Sequence, residues 1–408
     1  MNPDWSWPVI LVLAIPAALG HLYLFVLMIN ISSGLGFPEP HMDRVRALLF
    51  AGLWTSSAFL LWKHVHDPWW NWSWLFWSYA LLCVVSGTLV GPFTSMRIAW
   101  RRRPDGIAGS SQTLDLARPD GTAALIGPGR RSWLLRLPRN QSFSLRLRDW
   151  DVAVPDLPEP LDGLHIVQIS DLHFAPCFER RYFESVVDAC LDWRTDLVVI
   201  TGDLVDHEDA VAWIEPILGP LEARLGKFAI LGNHDESHQP RIIVDELGRA
   251  GFETLEGRWT TIDVDGTVLA IGGTSAPWGP AFERRDVPPA DFRLLLSHSP
   301  DQFYRAQSWG VDLMLSGHNH GGQIRLPLVG PVFMPSRYSR RFDRGFFRRG
   351  QTLMYVSEGV AGKHPVRYGC PPEITRFVLH PTTSPLGLDR QTAHGRKHEA
   401  MEWDSVQG

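Results

Sequence analysis

The chain contains little cysteine for its length. Its 408 residues include four cysteines, none of them in a C-x-x-C pair: Cys83, Cys177, Cys190 and Cys370. Cys83 also lies in an apolar segment, where it could not easily meet the others. The pattern gives no zinc-binding spacing and argues against a disulfide framework. This suits a reducing compartment.

Lysine is scarce as well, and the net charge is small. The lysines are Lys63, Lys227, Lys363 and Lys397, so arginine carries nearly all of the positive charge. The formal net charge is −5 at pH 7. A dedicated nucleic-acid surface would require a basic excess, so no nucleic-acid partner is expected.

Charged residues are missing from the N-terminal stretch. No residue from Trp5 to Pro38 carries a full charge. Three apolar segments follow one another, and they cover 8–31, 45–62 and 74–93. The first is long enough to span a bilayer, which takes about 20 apolar residues. A tryptophan cluster typical of a membrane interface precedes the third: Trp69, Trp70 and Trp72. A cleaved secretory signal is disfavoured because Met1–Asp4 contains no basic side chain.

Basic residues around these segments give an orientation. They are Arg44 and Arg46 before the second segment, and Arg97, Arg101, Arg102 and Arg103 after the third. With three spans, the positive-inside rule places the first loop and everything after Arg97 in the cytoplasm. We therefore expect a multi-pass protein of the inner (plasma) membrane with a cytoplasmic catalytic domain. If segment 45–62 does not span, that domain lies on the other side.

Composition divides the chain into four predicted parts. They are a membrane region at 1–100, an Arg/Gly/Pro-rich linker at 101–140, a globular domain at 141–381 and a disordered tail at 382–408. The alternating run from Ser142 to Val154 predicts an edge strand that opens the domain. Helices are predicted at 179–193, 210–225 and 241–250. The Asp265-Gly266 pair predicts a hairpin. This mixture indicates an α/β domain.

Polar side chains follow apolar runs of this domain. The runs are 164–170, 197–201, 228–231, 292–296 and 311–315. The motifs that end them are Asp171-Leu172-His173, Gly202-Asp203-Leu204-Val205-Asp206, Gly232-Asn233-His234-Asp235, Ser297-His298-Ser299 and Gly317-His318-Asn319-His320. In open α/β sheets, the carboxyl ends of the strands border one crevice, so we expect the motifs to meet there. Glycines before Asp203, Asn233 and His318 allow the backbone to approach a ligand closely.

These carboxylate, imidazole and amide groups suit a pair of divalent cations. Two cations about 4 Å apart repel each other, so a shared carboxylate such as Asp203 is needed between them. A hydroxide that bridges them is a strong nucleophile for phosphorus, and the cations stabilise the phosphoryl oxygens. A neighbouring imidazole such as His234 can protonate the leaving oxygen. A single Asp at a strand end is usually only a cap or turn residue, so no one motif identifies a metal site. The whole set, in this order, indicates two-metal phosphoryl hydrolysis.

In this order, the motifs resemble those of the calcineurin-like metallophosphoesterase family: D-x-H, G-D-x-x-D, G-N-H-D/E, a lone His and G-H-x-H. The resemblance covers roughly Leu161–Leu379. It implies two metal-ligand sets, one of Asp171, His173 and His320 and the other of Asn233, His298 and His318. It further implies that Asp203 bridges the metals and that His234 protonates the leaving group. The implied fold is a four-layer αββα sandwich with a dinuclear metal site, preceded here by transmembrane helices.

Other residues are candidates for contacts around the metals or to the substrate: Asp206, Asp235 and Arg367. Asp206 follows the shared carboxylate closely, so we expect it to orient the site rather than bind metal. The ligand set lacks a thiolate, which suits manganese, iron or zinc. The basic and aromatic stretch 335–349 could grip a phosphate or a lipid headgroup, or it could fill the core of the domain.

We therefore expect a membrane-anchored hydrolase of phosphoric ester or anhydride bonds. The chain is similar to the bacterial branch of the family in which transmembrane segments precede the catalytic domain. That resemblance implies lipid A biosynthesis and a UDP-2,3-diacylglucosamine-type substrate, with acyl chains in the membrane and a pyrophosphate in the cytoplasm. The alternatives are a tethered phosphodiesterase or phosphatase for soluble substrates, and a non-catalytic scaffold. The intact ligand positions disfavour the scaffold.

Overall fold

A computed structural model describes residues 7–66, 73–117 and 121–382. The predicted tail after Thr382 and the tryptophan cluster therefore lie outside the described residues. The N-terminal part forms helices α1 (Trp7–Ser33), α2 (Glu39–His66), α3 (Trp74–Val85) and α4 (Gly91–Ala99), and a π-helical turn, Ser86–Val90, joins α3 to α4. Among the described residues, Ala14–Ser33 and Trp74–Ala99 are long and apolar enough to cross a membrane. The predicted second span falls in α2, which does not meet that test.

The N-terminal helices pack closely through glycines and a buried histidine. A Cβ atom on Gly20 would lie 1.7 Å from the Cys83 carbonyl oxygen, so α1 and α3 touch at backbone distance. The imidazole of His21 joins three helices, since Nδ1 lies 2.5 Å from the Tyr79 hydroxyl and Nε2 lies 3.0 Å from Ser57 Oγ. These contacts make α1, α2 and α3 one bundle.

The rest of the described chain is a mixed α/β domain. Its strands are β1 (Ile107–Asp115), β2 (Ser144–Val154), β3 (His165–Ile169), β4 (Leu197–Thr201), β5 (Gly226–Ile230), β6 (Glu253–Thr254), β7 (Arg258–Val264), β8 (Thr267–Thr274), β9 (Phe292–Ser297), β10 (Leu313–Ser316), β11 (Arg325–Leu326), β12 (Gly330–Pro331), β13 (Gly345–Arg349), β14 (Thr352–Val356) and β15 (Glu373–Pro381). Its α-helices are α5 (Arg180–Asp188), α6 (Ile214–Leu218), α7 (Pro240–Arg249) and α8 (Phe303–Ser308).

The strands form two large sheets. The order in the first sheet is β1-β2-β15-β3-β4-β5-β6, and the order in the second is β13-β14-β10-β9-β8-β7. The neighbours β3, β4 and β5 run parallel, and so do β8, β9, β10 and β14. Parallel strands place their carboxyl ends at the same edge of a sheet, so each sheet brings its polar motifs to one edge.

Apolar side chains occupy the space between the sheets and cover their outer faces. The inner core contains Ile166, Val199, Phe228, Leu294 and Leu315. A second cluster joins the first sheet to α5, α6 and α7 through Val198, Ile200, Val186, Ile214 and Leu247. A third joins the second sheet to α8 through Leu295, Met314 and Phe303. The layers therefore follow the order helix, sheet, sheet, helix. Each fully buried side chain of this size contributes about 2 kcal/mol to folding.

The segment predicted as a linker belongs to the folded domain. β1 pairs with β2 over its whole length and forms the edge of the first sheet. β2 is therefore an interior strand, contrary to the predicted edge position. Further along, Leu125 and Leu135 are buried in the core beneath α5. Composition missed this because β1 is mostly exposed and its pairing partner is distant in the sequence.

The predicted helices form, but some are shorter. The structure has α5 where 179–193 was predicted, and a 3-10 turn (Glu208–Trp213) followed by α6 where 210–225 was predicted. α7 lies within one residue of its predicted bounds at each end. The predicted hairpin joins β7 to β8, and its turn residues Asp265 and Gly266 have φ angles of 51° and 82°. Positive φ at both positions is typical of the tight hairpin turn that an Asp-Gly pair favours.

Candidate active site

The polar motifs meet where the two sheets adjoin. Three of them follow β3, β4 and β5 of the first sheet, and two follow β9 and β10 of the second. The sequence predicted strand ends meeting at one crevice, and the structure supplies them from two sheets. The crevice therefore has a wall from each sheet, which brings carboxylates from one side towards imidazoles from the other.

The predicted ligands form two groups that share one carboxylate. Two groups of side chains have ligand atoms within 4.8 Å of one another and could each hold one ion. The first group is Asp171, His173, Asp203 and His320, and the second is Asp203, His298 and His318. Asp203 Oδ2 lies 3.5 Å from His173 Nε2 and 3.3 Å from His298 Nε2. Asn233 Oδ1 lies 3.1 Å from His298 Nε2 and so joins the second group. The structure thus brings together the residues that the family resemblance assigns to two ligand sets.

Hydrogen bonds fix which nitrogen of each imidazole faces the crevice. His298 Nδ1 donates to the Thr201 carbonyl oxygen at 2.8 Å, and His318 Nε2 donates to the Pro335 carbonyl oxygen at 2.7 Å. A carbonyl can only accept, so both outer nitrogens carry hydrogen. The inner nitrogens, His298 Nε2 and His318 Nδ1, then face each other at 3.0 Å. Two lone pairs at this distance repel unless a proton or a metal ion lies between them, and a pair of inward-facing imidazole nitrogens is a donor set that fits a metal ion.

The other group follows the same principle with a carboxylate as the outer partner. His173 Nδ1 lies 2.9 Å from Asp206 Oδ1, which leaves Nε2 directed at His320 Nε2, 3.3 Å away. Asp171 Oδ1 lies 3.6 Å from the same His320 nitrogen. A carboxylate behind a ligating histidine orients the ring and makes its free nitrogen more basic. These residues also fit a bound divalent cation.

The electrostatics of the buried site depend on Asp203. Burial alone would raise the pKa of Asp203, but His298 and His234 outweigh it and hold that pKa well below its usual range. Burial would lower the pKa of His298, but the adjacent Asp203 raises it to about 9. Without a metal, a proton on His298 thus offsets the buried negative charge, and a bound cation would replace that proton. Burial and the charge of His298 hold the pKa of His318 well below normal, as suits a neutral ligand.

Several predicted ligands adopt an unusual backbone conformation. The φ angle is positive at Asp171 (54°), His173 (45°), Asp203 (55°), His318 (67°) and His320 (47°). Residues other than glycine avoid this region, and each such residue costs about 1–3 kcal/mol when surrounding contacts enforce it. The strain falls on the residues that turn their side chains towards the crevice, so packing elsewhere maintains the geometry of the site.

Two glycines are required because ligand side chains pass directly over them. A Cβ atom on Gly232 would lie 2.0 Å from Asp203 Oδ1, and one on Gly317 would lie 2.4 Å from Asp171 Oδ2. Any larger residue would displace these carboxylates. The motif glycines were predicted to permit close approach, and at these positions the approach is to the site's own carboxylates rather than to a bound ligand.

Asp206 and Asp235 organise the crevice in different ways. Asp206 Oδ1 lies 2.6 Å from His234 Nδ1 as well as close to His173, so one carboxylate orients two imidazoles. Asp235 is buried and accepts the backbone N–H groups of Leu204, Val205 and Gly232 at 2.8–3.1 Å. It thereby joins the loop after β4 to the loop after β5. Both aspartates contact neighbouring residues of the site, and the orienting role of Asp206 stays a prediction because Asp206, His173 and His234 together could also hold an ion.

Comparison with known proteins identifies the family. The calcineurin-like phosphoesterase family matches residues 164–322, which contain all the predicted metal ligands. The metallophosphoesterase YkuE of Bacillus subtilis (strain 168) is 34% identical over 236 residues, which are 55% of this chain and 82% of that protein. The chain belongs to the calcineurin-like metallophosphoesterases. It is a metal-dependent phosphoester hydrolase, and members of the family use a dinuclear divalent metal site.

The chain is also similar to metallophosphoesterases whose names refer to a substrate or to a membrane. The UDP-2,3-diacylglucosamine pyrophosphatase LpxG of Chlamydia trachomatis is 27% identical over 274 residues, which are 52% of this chain and 83% of that protein. A Danio rerio protein named "Transmembrane protein with metallophosphoesterase domain" is 30% identical over 265 residues, which are 57% of this chain and 56% of that protein.

Arg367 does not fit its predicted contact with substrate. Its side chain is 1% exposed, and its guanidinium donates to the carbonyl oxygens of Glu358, Ala361 and Cys370. The arginine therefore holds a loop of the metallophosphoesterase domain. The sequence could not distinguish this role because an arginine beside a glycine-rich motif suits phosphate and backbone carbonyls equally well.

Some contributors to the site were not predicted. Ser170 Oγ donates to Asp171 Oδ2 at 2.6 Å, and the ring of Trp278 lies 4.7 Å from that of His318. A serine directly before a ligand aspartate is a usable signal, whereas Trp278 lies in a loop without a motif. The contact made by the Pro335 carbonyl cannot be recognised in the sequence, because every residue type has a backbone carbonyl. Phe342 and Phe346 of stretch 335–349 are buried, which favours the core-filling alternative for its aromatics.

Removal of the shared carboxylate charge should remove the metals. Asp203→Asn keeps the size of the side chain but leaves the two cation sites without a common anion. We expect hydrolysis to fall by at least about 10³-fold, together with a loss of bound metal measured by elemental analysis. Asp188→Asn is the matched control, since Asp188 is an exposed carboxylate at the end of α5. Turnover by Asp203→Asn in metal-free buffer at the wild-type rate would contradict the two-metal site.

His234 should matter for leaving groups rather than for metal content. His234→Asn removes the proposed acid, so an ester with a poor leaving group should slow by about 10²–10⁴-fold, while an activated aryl ester should slow much less. Asp206→Asn should slow hydrolysis and, unlike His234→Asn, should also lower the affinity for metal, because Asp206 orients His173. Equal slowing of both esters by His234→Asn, or loss of metal from that variant, would show that His234 is a ligand or a structural residue.

Proposed function

We propose that this metallophosphoesterase is a membrane-anchored hydrolase that cleaves a phosphoester or phosphoanhydride presented at the membrane surface. The observation that carries the proposal is a cleft of about 740 Å³ shared by the catalytic domain and the N-terminal helices. His234 and Asp206 line one part of this cleft, and Pro40 and Asp43 from the start of α2 line another. A substrate that reaches the site through this cleft passes the ends of the N-terminal helices.

Close contacts support this placement of the helices. A Cβ atom on Gly34 would lie 2.3 Å from the Arg337 backbone nitrogen, and one on Gly36 would lie 2.8 Å from Pro277 Cβ. The loop between α1 and α2 therefore packs directly on the domain. Lys363 Nζ lies 3.0 Å from Asp43 Oδ2 and adds an ion pair between α2 and the domain. The helices fix one side of the cleft rather than acting as a distant tether.

We assign the chemistry of the site to the residues already described. Asp171, His173, His320 and Asp203 would hold one divalent ion, and Asp203, Asn233, His298 and His318 would hold the other. When bound, such ions stabilise phosphoryl oxygens and lower the pKa of a water nucleophile. His234, oriented by Asp206, would donate a proton to the leaving oxygen. The absence of thiolates from this set suits manganese, iron or zinc.

Positive charge in the cleft supports an anionic substrate. Arg130, Arg131 and Lys363 line the same cleft as His234. Arg131 Nη1 donates to the Lys363 carbonyl oxygen at 3.0 Å, which orients one of these cations. A substrate with a second phosphate would place its extra charge among them. A UDP-2,3-diacylglucosamine-type lipid has a pyrophosphate and acyl chains, so it matches both the cationic wall and the position beside the helices. The similarity to LpxG gives further support.

A substrate panel tests this assignment. Purified, detergent-solubilised full-length protein with Mn²⁺ should hydrolyse a UDP-diacylglucosamine with a higher kcat/KM than a cyclic nucleotide or an aryl phosphodiester. Arg130→Gln should raise KM for the pyrophosphate by about tenfold, the effect of one lost charge-assisted contact, and change the aryl ester little. Arg180→Gln, an exposed arginine on α5, is the matched control. Preference for the cyclic nucleotide would favour a tethered phosphodiesterase instead.

Topology gives a test that needs no activity. We propose that α1, α2 and the helix Trp74–Ala99 each span the bilayer and that the catalytic domain faces the cytoplasm, the side that the arginines Arg97 and Arg101–Arg103 favour. A reporter fused after Arg103 should then behave as cytoplasmic, and one inserted between His66 and Trp72 as external. An external reporter after Arg103 would show that α2 does not span. A cytoplasmic nucleotide-lipid substrate would then be excluded, and a site facing outward would act on envelope lipids or scavenged phosphodiesters.

A further inference from the structure

Exposed apolar side chains cluster on one small hairpin of the catalytic domain. β11 and β12 pair as an isolated two-stranded sheet, with Leu326 opposite Gly330. The side chains in and beside this hairpin that are large, apolar and exposed are Ile324, Leu326, Leu328, Val329 and Phe333. Leu328 at the tip is 94% exposed. Scattered apolar residues are normal on a surface, but a contiguous group of this kind marks a contact surface.

The tip is also unfavourable for the backbone. Leu328 has a φ angle of 63°, in the left-handed region that leucine rarely adopts. If water surrounded Leu328, the exposed apolar side chain and the strained backbone would both be unfavourable. Glycine or asparagine at this position would avoid both the apolar exposure and the backbone strain. A leucine at such a tip is stabilised if its side chain leaves water. The environment that it enters must be apolar.

The neighbours of the hairpin are the N-terminal helices. A Cβ atom on Gly330 would lie 3.5 Å from Ile98 Cγ2 of α4. The ring of Phe333, just beyond β12, lies 6.2 Å from that of Phe50 in α2. An apolar groove of about 630 Å³ runs between α1, the helix Trp74–Ala99 and the hairpin. The exposed surface of the hairpin is thus continuous with that of the candidate membrane helices.

The depth of these contacts indicates a bilayer rather than water. Phe50 lies about 16 Å along α2 from its first residue, at 1.5 Å per residue. The helix is about 42 Å long on the same basis, which exceeds the hydrocarbon thickness of about 30 Å. The charged side chains at this end of α2 stop at Arg46, and the residues from Ala47 to Trp62 are uncharged, so Phe50 lies about 6 Å beyond the last charge. Phe333 contacts Phe50 at that level.

We propose that the β11–β12 hairpin inserts into the bilayer beside the N-terminal helices, with lipid acyl chains as the occupant of its exposed apolar surface. The inference rests on the membrane anchoring proposed above, and it adds a membrane contact made by the catalytic domain itself. Arg340 supports the hairpin from the domain side, since its Nη2 donates to the Val329 carbonyl oxygen at 2.6 Å and to Ser95 Oγ of α4 at 2.8 Å.

This placement has a consequence for the metal site. The segment that carries the hairpin begins directly after His318 and His320, and it returns to the site at Pro335, whose carbonyl fixes the His318 ring. Asn30 of α1 binds the returning strand, because its side chain accepts the Met334 N–H at 2.9 Å and donates to the Val332 carbonyl at 3.1 Å. The bilayer-inserted hairpin therefore sets the position of the two-histidine loop relative to the membrane surface, where a lipid-linked phosphate lies, while the contacts of Asn30 and Pro335 maintain the shape of that loop.

Spin-label accessibility tests the insertion in the intact protein. Single cysteines would replace Leu328, Leu89 of the π-helical turn and Ile242 of α7, each labelled with a nitroxide in full-length protein reconstituted into phosphatidylcholine–phosphatidylglycerol vesicles. Leu89 and Ile242 are exposed apolar residues on a candidate span and on the far layer of the domain, respectively. The native cysteines are all buried, and unsubstituted protein gives the labelling background.

We expect the label at 328 to match that at 89, accessible to oxygen and protected from a water-soluble nickel chelate, whereas the label at 242 is accessible to the chelate. Chelate access at 328 with protection at 89 would overturn the insertion and leave the anchor intact. Chelate access at both would overturn the anchor and the insertion together. Protection of 328 from both reagents would overturn lipid as the occupant in favour of a protein surface.

A functional measurement separates insertion from a merely structural role. Leu328→Asp should raise KM for a UDP-diacylglucosamine in vesicles by about tenfold or more, because a charge at this depth opposes insertion, and leave kcat/KM for a soluble aryl phosphodiester unchanged. Leu328→Phe, which keeps the tip apolar, should retain the wild-type KM. Equal loss on both substrates, or no change on either, would contradict the proposal.

Discussion

The arrangement of the site depends on one buried carboxylate placed between two sets of imidazoles. Asp203 is 1% exposed, and its Oδ2 lies 3.5 Å from His173 and 3.3 Å from His298. Its other oxygen accepts the backbone N–H of His234 at 2.9 Å. A buried charge is stable only when it is paired, so the fold must supply positive charge on both sides. The two proposed cation sites and the raised pKa of His298 follow from this requirement, and Gly232 leaves the space that the carboxylate occupies.

The surrounding fold maintains a geometry that the local backbone disfavours. Left-handed conformations at Asp171, His173 and Asp203 would relax if their loops were free. Asp235 opposes this relaxation, because it is fully buried and binds N–H groups of the loops after both β4 and β5. The parallel strands that precede these loops are buried in every residue but one at the start of β3 and two at the start of β5. Ligand geometry is therefore enforced by the sheets rather than by the loops themselves.

Much of this could be predicted from sequence, for identifiable reasons. The run Leu197–Ile200 is entirely apolar, and Thr201 and a Gly-Asp pair follow it, so both the strand and the position of its acid can be predicted from the local pattern. β1 was missed because its exposed residues resemble a linker and its partner β2 is recognised only in three dimensions. Residue type does not reveal whether a guanidinium binds carbonyl oxygens, as that of Arg367 does, or a phosphate. The carbonyl of Pro335 could not be predicted, since main-chain groups carry no sequence signal.

The least predictable feature is the connection between the N-terminal helices and the metal site. Asn30 lies in an apolar helix and is 2% exposed, a position where an amide is unfavourable unless it is fully hydrogen-bonded. Its donors and its acceptor are used by Val332, Ser339 and Met334, all in one loop of the catalytic domain. The next residue of that loop, Pro335, fixes the His318 ring. A polar group in α1 thus positions an imidazole of the site through two hydrogen bonds and one peptide, so the N-terminal helices and the active site are directly coupled.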